Sequence, residues 1–69
     1  MELETQLIKS DQTVEIWSTF RRGKDTWVAK EYRGAQLIDE HVTTSRKKVD
    51  GFITYLINMG FKKGAEGIA

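Results

Sequence analysis

The chain contains a single histidine, His41, and the residues beside it decide whether it could take part in catalysis. A nucleophile–base pair needs a serine, cysteine or threonine close to a histidine that a carboxylate orients. The acidic neighbours here are Asp39 and Glu40, and successive residues of a strand point to opposite faces of a sheet. Asp39 and Glu40 therefore do not form an acid/base pair through adjacency alone. The pattern favours a surface or half-buried strand histidine beside solvated carboxylates, and it predicts that the protein is not an enzyme.

Metal and cofactor sites are not expected from the sequence either. The chain has no cysteine, which excludes disulfides and thiolate ligands, and one histidine does not make a metal cluster. The segment that precedes the predicted helix, residues 42–45, contains no glycine, so it does not form a phosphate-binding loop. We therefore expect no metal, no cofactor and no small-molecule substrate.

Basic side chains gather at a predicted hairpin tip and in the first turn of a predicted helix. These residues are Arg21, Arg22 and Lys24 at the tip, and Arg46, Lys47 and Lys48 in the helix. Each cation at a helix N-terminus opposes the macrodipole at a cost of about 0.3–1 kcal/mol. Their presence favours contact with an anion such as a phosphate of nucleic acid. The alternative is that exposed cations cost little and that Asp50 compensates Arg46 one turn later.

Two aromatic residues, Trp17 and Tyr32, are predicted to project from the same sheet face as Lys30. Thr19, Arg21 and Val28 share this face. A mixture of aromatic and basic side chains on an exposed sheet could stack on bases. The alternative is that this face is the core and that the helix lies on it. Because both sheet faces carry large apolar groups, the sequence leaves these alternatives open.

A third feature is Gly51, in the middle of the predicted helix, where glycine costs roughly 1 kcal/mol relative to alanine. Thr54 and Asn58 lie on the same polar side and give a small, nearly uncharged strip. Such a strip allows another surface to approach closely, which favours a protein partner or a second copy of the chain. A glycine retained by drift on an exposed helix face explains the same observation.

The elements that position these residues follow from hydrophobic periodicity. Residues 3–9 are predicted as an edge strand, and residues 13–22, 26–33 and 37–42 as an antiparallel meander. A two-residue loop at Gly23-Lys24 would pair Phe20 with Trp27 and Trp17 with Lys30. A second turn at Gly34-Ala35 would bring Asp39 opposite Lys30.

The strongest local pattern predicts a helix over residues 45–59, with Thr43, Thr44 or Ser45 as its N-cap. Its apolar arc consists of Val49, Phe52, Ile53, Leu56, Ile57 and Met59. Gly60 and Phe61 match the C′ and C″ positions of a Schellman ending. The segment 64–69 lacks a pattern and is predicted to be a frayed tail.

Together these elements predict one small α+β domain over residues 1–69, in which a sheet of three or four strands precedes one C-terminal helix packed on one face. The acidic start, Met1-Glu2-Leu3-Glu4, is unlike a secretion signal, and charged residues interrupt every apolar run, so we expect a cytoplasmic protein. The net charge is only +1, so attraction for nucleic acid must come from local clusters.

The predicted strand–strand–strand–helix order resembles the small DNA-binding domains of the plant AP2 type and of phage or transposon integrase arms. It is also similar to small phage-encoded inhibitors of host proteins. The resemblance lies in topology and size, and it transfers no residue roles. The clustered basic residues favour a regulatory binding module that contacts nucleic acid. The alternative is a protein-interaction module, an inhibitor or a homodimer, that acts through the helix strip or a sheet edge.

Overall fold

Five antiparallel strands and one helix form the fold in the computed structural model, which describes residues 1–66. In chain order they are β1 Glu2–Lys9, β2 Gln12–Arg21, β3 Lys24–Arg33, β4 Gln36–Thr43, α1 Arg46–Asn58 and β5 Lys62–Glu66. The order across the sheet is β4-β3-β2-β1-β5. The predicted α+β class is confirmed. The sheet has more strands than predicted, and the helix is not the last element.

The hairpin between β2 and β3 turns one residue earlier than the sequence suggested. Its loop is Arg22-Gly23, and both residues have positive φ, 52° and 76°, as a type I′ turn requires. Trp17 therefore pairs with Val28 instead of Lys30, and Phe20 pairs with Asp25 instead of Trp27. Because side chains alternate along a strand, this shift of two residues along β3 retains the predicted grouping of side chains on the two sheet faces.

The turn at Gly34-Ala35 forms where it was predicted, and Gly34 has a φ of 57°. A bulge between Glu31 and Tyr32 then changes the register of β4. As a result Lys30 lies opposite Glu40, and the predicted pairing of Lys30 with Asp39 is wrong. Asp39 lies opposite Glu31 instead, which brings two carboxylates together on one face.

The core lies between α1 and the sheet face that carries the even-numbered residues of β2. Its buried residues are Leu7, Val14, Ile16, Val49 and Leu56, and Trp27, Ala29, Phe52, Ile53 and Phe61 pack against them. The helix therefore lies on the face opposite Trp17 and Tyr32. The alternative in which Trp17, Val28 and Tyr32 form the helix-covered core is wrong.

Both ends of α1 have the caps that the sequence predicted. The Ser45 hydroxyl accepts a hydrogen bond from the backbone N–H of Lys48. At the other end Gly60 has a φ of 99°, Gly60 N–H donates to the Ile57 carbonyl, and Phe61 N–H donates to the Leu56 carbonyl. These two bonds are those of a Schellman motif, so the predicted ending is confirmed. The predicted apolar arc is too wide, because Ile57 and Met59 remain exposed.

The chain returns to the sheet after the helix. Residues Lys62–Glu66 pair antiparallel with β1, so the prediction of a frayed tail is wrong for 64–66, and residues 67–69 lie outside the described part of the chain. Strand β1 is consequently internal, between β2 and β5, and is not the edge strand that was predicted. Within residues 1–66, no helix is long and apolar enough to cross a membrane.

Candidate functional site

The sheet face that α1 leaves uncovered, here called the open face, consists of cross-strand rows. Directly paired residues of antiparallel strands share a face, so the register defines each row. One row joins Leu3, Trp17, Val28 and Val42; the next joins Glu15, Lys30 and Glu40; a third joins Ile8, Thr13, Tyr32 and Leu37. Two apolar rows, each with one aromatic ring, therefore flank a charged row.

Neighbouring side chains hold the indole of Trp17 in place on the open face. Its Nε1 donates a hydrogen bond to Glu15 Oε1 at 3.0 Å, and Lys30 Nζ lies 5.6 Å from the ring centroid. A cation at this distance over an indole face is attracted by the ring quadrupole. The cross-strand partner of Trp17, Val28, is only 2% exposed although no helix covers it. Trp17 is thus a half-buried, oriented ring.

Tyr32, the second aromatic residue of the open face, lies beside the same carboxylate. Partial burial raises the pKa of the Tyr32 phenol, and the negative charge of Glu15, its hydrogen bond to Glu15 and the charge of Glu40 raise it further. All of these effects disfavour the phenolate. Tyr32 therefore keeps its O–H proton at neutral pH and can donate a hydrogen bond.

Cations of the β2–β3 hairpin tip extend the open face at one end of the sheet. Arg21 and Lys24 pair across the tip on the same face as Trp17, and Arg22 occupies the turn. All three side chains are exposed, and none forms an ion pair with another residue in 1–66. The predicted grouping of Arg21 and Lys30 with Trp17 and Tyr32 on one face is therefore observed.

Arg46, at the start of α1, has partners inside the chain. Its guanidinium contacts Glu4 Oε1 at 2.7 Å and Asp50 Oδ1 at 3.0 Å, and it lies 5.7 Å from the ring centroid of Trp27. The hydrogen bond to Glu4 is the main reason that the pKa of Arg46 is raised. Burial acts to raise the pKa of Glu4, but hydrogen bonds from Arg46 and Trp27 and the charge of Arg46 hold it below its ordinary value. Arg46 therefore has a structural role.

The other two cations of the helix start, Lys47 and Lys48, are exposed, and within residues 1–66 neither forms an ion pair. The first turn of α1 contains no acidic residue, so the unfavourable placement against the macrodipole remains. Because Arg46 contacts Glu4 and Trp27, the helix start lies at the same end of the sheet as the hairpin tip. It belongs to the helix side of the sheet, not to the open face.

Gly51, Thr54 and Asn58, the candidate protein-contact strip, are all exposed on α1. A Cβ built on Gly51 would meet no atom within 4 Å, so the strip is open to solvent at this position. The strip lies on the outer side of the helix, away from the open face and its cations.

Strand β4 offers a second surface, because it has no partner on its outer side among the described strands. Leu37, Ile38 and Val42 are about half exposed on this strand. Between β4 and α1 lies a mostly apolar cleft of about 250 Å³, lined by Ile16, Trp27, Ala29, His41, Thr43, Lys48, Val49 and Phe52. An unpaired strand beside an apolar cleft is suited to the addition of a strand from another chain.

One cluster was missed by the sequence reasoning. His41 Nε2 lies 3.1 Å from Asp39 Oδ2 and 3.8 Å from Glu31 Oε1, on the helix side of the sheet. The pattern was visible in part, because residues 39 and 41 share a strand face. Glu31 was assigned to no cluster, since only the β3–β4 bulge brings it opposite Asp39.

Comparison with known protein families, with curated proteins and with solved structures finds no match to this chain.

Proposed function

We propose that the chain is a non-enzymatic binding module that holds single-stranded nucleic acid on the open face of its sheet. The observation that carries this proposal is the arrangement of Trp17, Lys30 and Tyr32 on the face that the helix does not cover. Proteins that bind single strands combine aromatic rings, on which bases stack, with cations that follow the phosphates. Both kinds of group occur here on one surface.

The two rings supply the stacking part of the proposed site. Base–aromatic stacking contributes about 1–3 kcal/mol per base and depends little on base identity. The hydrogen bond from Trp17 to Glu15 fixes the indole before a ligand arrives, so little ordering remains to be done on binding. On binding, a base takes the place of the Lys30 ammonium above Trp17, and the ammonium moves to a neighbouring phosphate.

The distribution of charge on the open face predicts the path that the nucleic-acid backbone follows across it. Glu15 and Glu40 flank Lys30 in its row, and both repel phosphate. Arg21 and Lys24 at the hairpin tip have no acidic neighbour in their row. The backbone is therefore expected to run from Lys30 past Trp17 towards the tip. Lys47 and Lys48 lie at the same end but on the helix side, and they contribute through longer-range attraction.

Single strands are favoured over duplexes by the same geometry. A ring that stacks on a base needs access to the base plane, which is covered in a duplex and free in a single strand. Sequence preference is consequently expected to be weak, because every base has an aromatic plane.

A titration of a fluorescently labelled single-stranded oligonucleotide, as DNA and as RNA, tests this proposal. We expect binding that weakens steeply with added salt, because binding releases cations condensed on the phosphates and added salt lowers the entropy gained by that release. Trp17→Leu should weaken binding, whereas Phe20→Leu, which removes an exposed aromatic ring from the other face of the same strand, should not. Because Trp17 is half-buried, thermal melts of both variants must show that they are folded. Equal affinities for the two folded variants, or no binding by the parent at low salt, would reject the proposal.

A second candidate function is protein interaction through the outer edge of β4. The specific observation in its favour is the unpaired strand with exposed Leu37, Ile38 and Val42. In one form of this proposal the chain is an inhibitor that binds another protein. In the other form it binds a second copy of itself and forms a homodimer. Light scattering at increasing protein concentration tests the homodimer: a constant monomer mass rejects it. If a dimer forms, Val42→Lys should dissociate it, because a lysine on an edge strand opposes strand addition.

A further inference from the structure

Three potential metal ligands meet on the helix side of the sheet, where β3 and β4 pair. They are one carboxylate oxygen each of Glu31 and Asp39 and the Nε2 atom of His41, and all three atoms lie within 4.8 Å of one another. The imidazole nitrogen is 3.1 Å from Asp39 Oδ2 and 3.8 Å from Glu31 Oε1. The nitrogen and both oxygens are therefore close enough together to bind one ion.

The backbone and a neighbouring ring fix the relative positions of these side chains. Glu31 pairs directly with Asp39, and Ala29 pairs with His41, so the cluster is built on two hydrogen-bonded strands. The His41 ring also contacts the ring of Phe52 from α1 edge-on, with centroids 6.3 Å apart. Ligands on paired strands hold their separation better than ligands on loops.

The charge of the cluster is not balanced by a permanent cation. Within residues 1–66, the Glu31 and Asp39 carboxylates contact the His41 imidazole, which is a cation only when protonated, and no lysine or arginine pairs with either of them. With a neutral imidazole, two negative charges lie close together without compensation. A cation bound between the three ligand atoms would remove this repulsion.

We propose that Glu31, Asp39 and His41 form a site for a late first-row divalent metal ion, with Zn²⁺ the best match. Zinc bonds nitrogen and carboxylate oxygen at about 2.0–2.2 Å, so tetrahedral ligand atoms are about 3.3–3.6 Å apart. The distances from His41 Nε2 to the two carboxylate oxygens, 3.1 and 3.8 Å, lie just below and just above that range. The imidazole selects against Ca²⁺ and Mg²⁺, which prefer oxygen ligands.

Three protein ligands leave at least one coordination position for water or for a group from another molecule. His41 is also a wall of the apolar cleft between β4 and α1, so this position is next to the surface proposed for a protein partner. The metal site itself rests on neither proposed function, because it is inferred from the positions of its three ligand atoms alone.

Isothermal titration calorimetry of tag-free protein with ZnCl₂ tests the site, and the composition of the chain allows zinc binding to be assigned to one residue. The chain has one histidine and no cysteine, so binding that depends on imidazole must occur at His41. We expect one Zn²⁺ per chain and no comparable binding of Ca²⁺ or Mg²⁺. His41→Gln and Asp39→Asn should each weaken zinc binding by at least about tenfold, because losing even an outer-shell partner of a metal ligand typically costs about 10–100-fold.

The matched control is Glu40→Gln. Like Asp39→Asn it removes one negative charge from β4, but Glu40 lies on the open face and the metal ligands lie on the helix side. It should leave zinc affinity unchanged. The residues changed are exposed, and circular dichroism will show that each variant is folded. Zinc should also shift the ring resonances of the single histidine in the NMR spectrum of the parent. Equal zinc affinity for His41→Gln and Glu40→Gln, or unshifted ring resonances at saturating zinc, would overturn the proposal.

Discussion

Arg46 and Glu4, which are 42 residues apart in the sequence, are joined by a hydrogen bond of 2.7 Å between Nη1 and Oε1. The same carboxyl group accepts a hydrogen bond from Trp27 Nε1 at 3.2 Å. Glu4 thus connects the first strand, the third strand and the start of the helix. This interaction offsets the unfavourable position of the Arg46 charge at a helix N-terminus, where the macrodipole disfavours a cation.

Replacing Arg46 should therefore destabilise the fold, unlike replacing its neighbour. Arg46→Gln is expected to lower the free energy of unfolding by about 1 kcal/mol, a typical value for a partly exposed charged hydrogen bond. Lys47→Gln removes the same charge from an exposed residue and should leave stability unchanged or slightly higher. Urea denaturation of both variants measures the difference. Equal stabilities would show that the ion pair contributes nothing.

The carboxyl group of Glu4 also predicts a dependence of stability on pH. Its pKa in the folded protein is below the ordinary value of 4.5, so the ionised form stabilises the fold. This contribution is fully present above about pH 4.5 and is lost as the pH falls through the lowered folded pKa. Glu4→Gln should therefore flatten the decrease in stability at acidic pH. Denaturation curves at neutral and acidic pH check this, and parallel pH profiles for parent and variant would contradict it.

Leu56 and Thr54 test how the helix faces the sheet. Leu56 is 5% exposed in the core, so Leu56→Ala should cost about 2–5 kcal/mol. Thr54 is exposed on the other side of α1, and Thr54→Ala should change stability little. Thermal melts of the two variants measure both effects. Comparable losses of stability would mean that the helix packs through a different face.

Alanine substitutions at Gly51 and Gly34 compare two glycines that differ in backbone conformation but both have room for a Cβ atom. Neither would place a Cβ within 4 Å of another atom, but Gly34 has a φ of 57° and Gly51 lies within the helix. Gly51→Ala should stabilise the fold by about 0.5–1 kcal/mol, and Gly34→Ala should destabilise it by about 1–2 kcal/mol. Thermal melts of the two variants measure these effects, and shifts of the same sign would contradict the expectation.

Light scattering of Gly51→Ala then tests the strip of Gly51, Thr54 and Asn58 as an interface. If the strip is a contact surface, the variant will be more stable than the parent yet associate less. Unchanged association would show that the strip is not an interface.

Features that depend on nearby residues were predictable from the single sequence. The ends of α1 belong to this class, because Ser45, Gly60 and Phe61 act on the backbone within a few residues. The faces of β2 and β3 were predictable from alternation alone. The choice of the covered face was not, since Val14 and Ile16 on one side and Trp17 and Val28 on the other are equally suited to a core.

Features that depend on distant pairing were the ones that the sequence did not reveal. Strand β5 contains Lys62, Lys63 and Gly64, none of which favours a strand, and it forms only because β1 offers an edge. The proximity of Glu31 to His41 depends on the β3–β4 bulge. The contacts of Arg46 also depend on distant pairing, because Glu4 is 42 residues away in the sequence.

The most direct test of the proposed function compares two double charge reversals in one titration with single-stranded oligonucleotide. Arg21→Glu/Lys30→Glu changes the open face, and Lys47→Glu/Lys48→Glu makes the same change in charge at the helix start. We expect the open-face variant to bind far more weakly, and we expect its log–log salt dependence to flatten by about one unit for each phosphate that it no longer neutralises. The helix-start variant should be weakened less. If the helix-start variant is weakened as much as the open-face variant or more, the open face is not the binding surface.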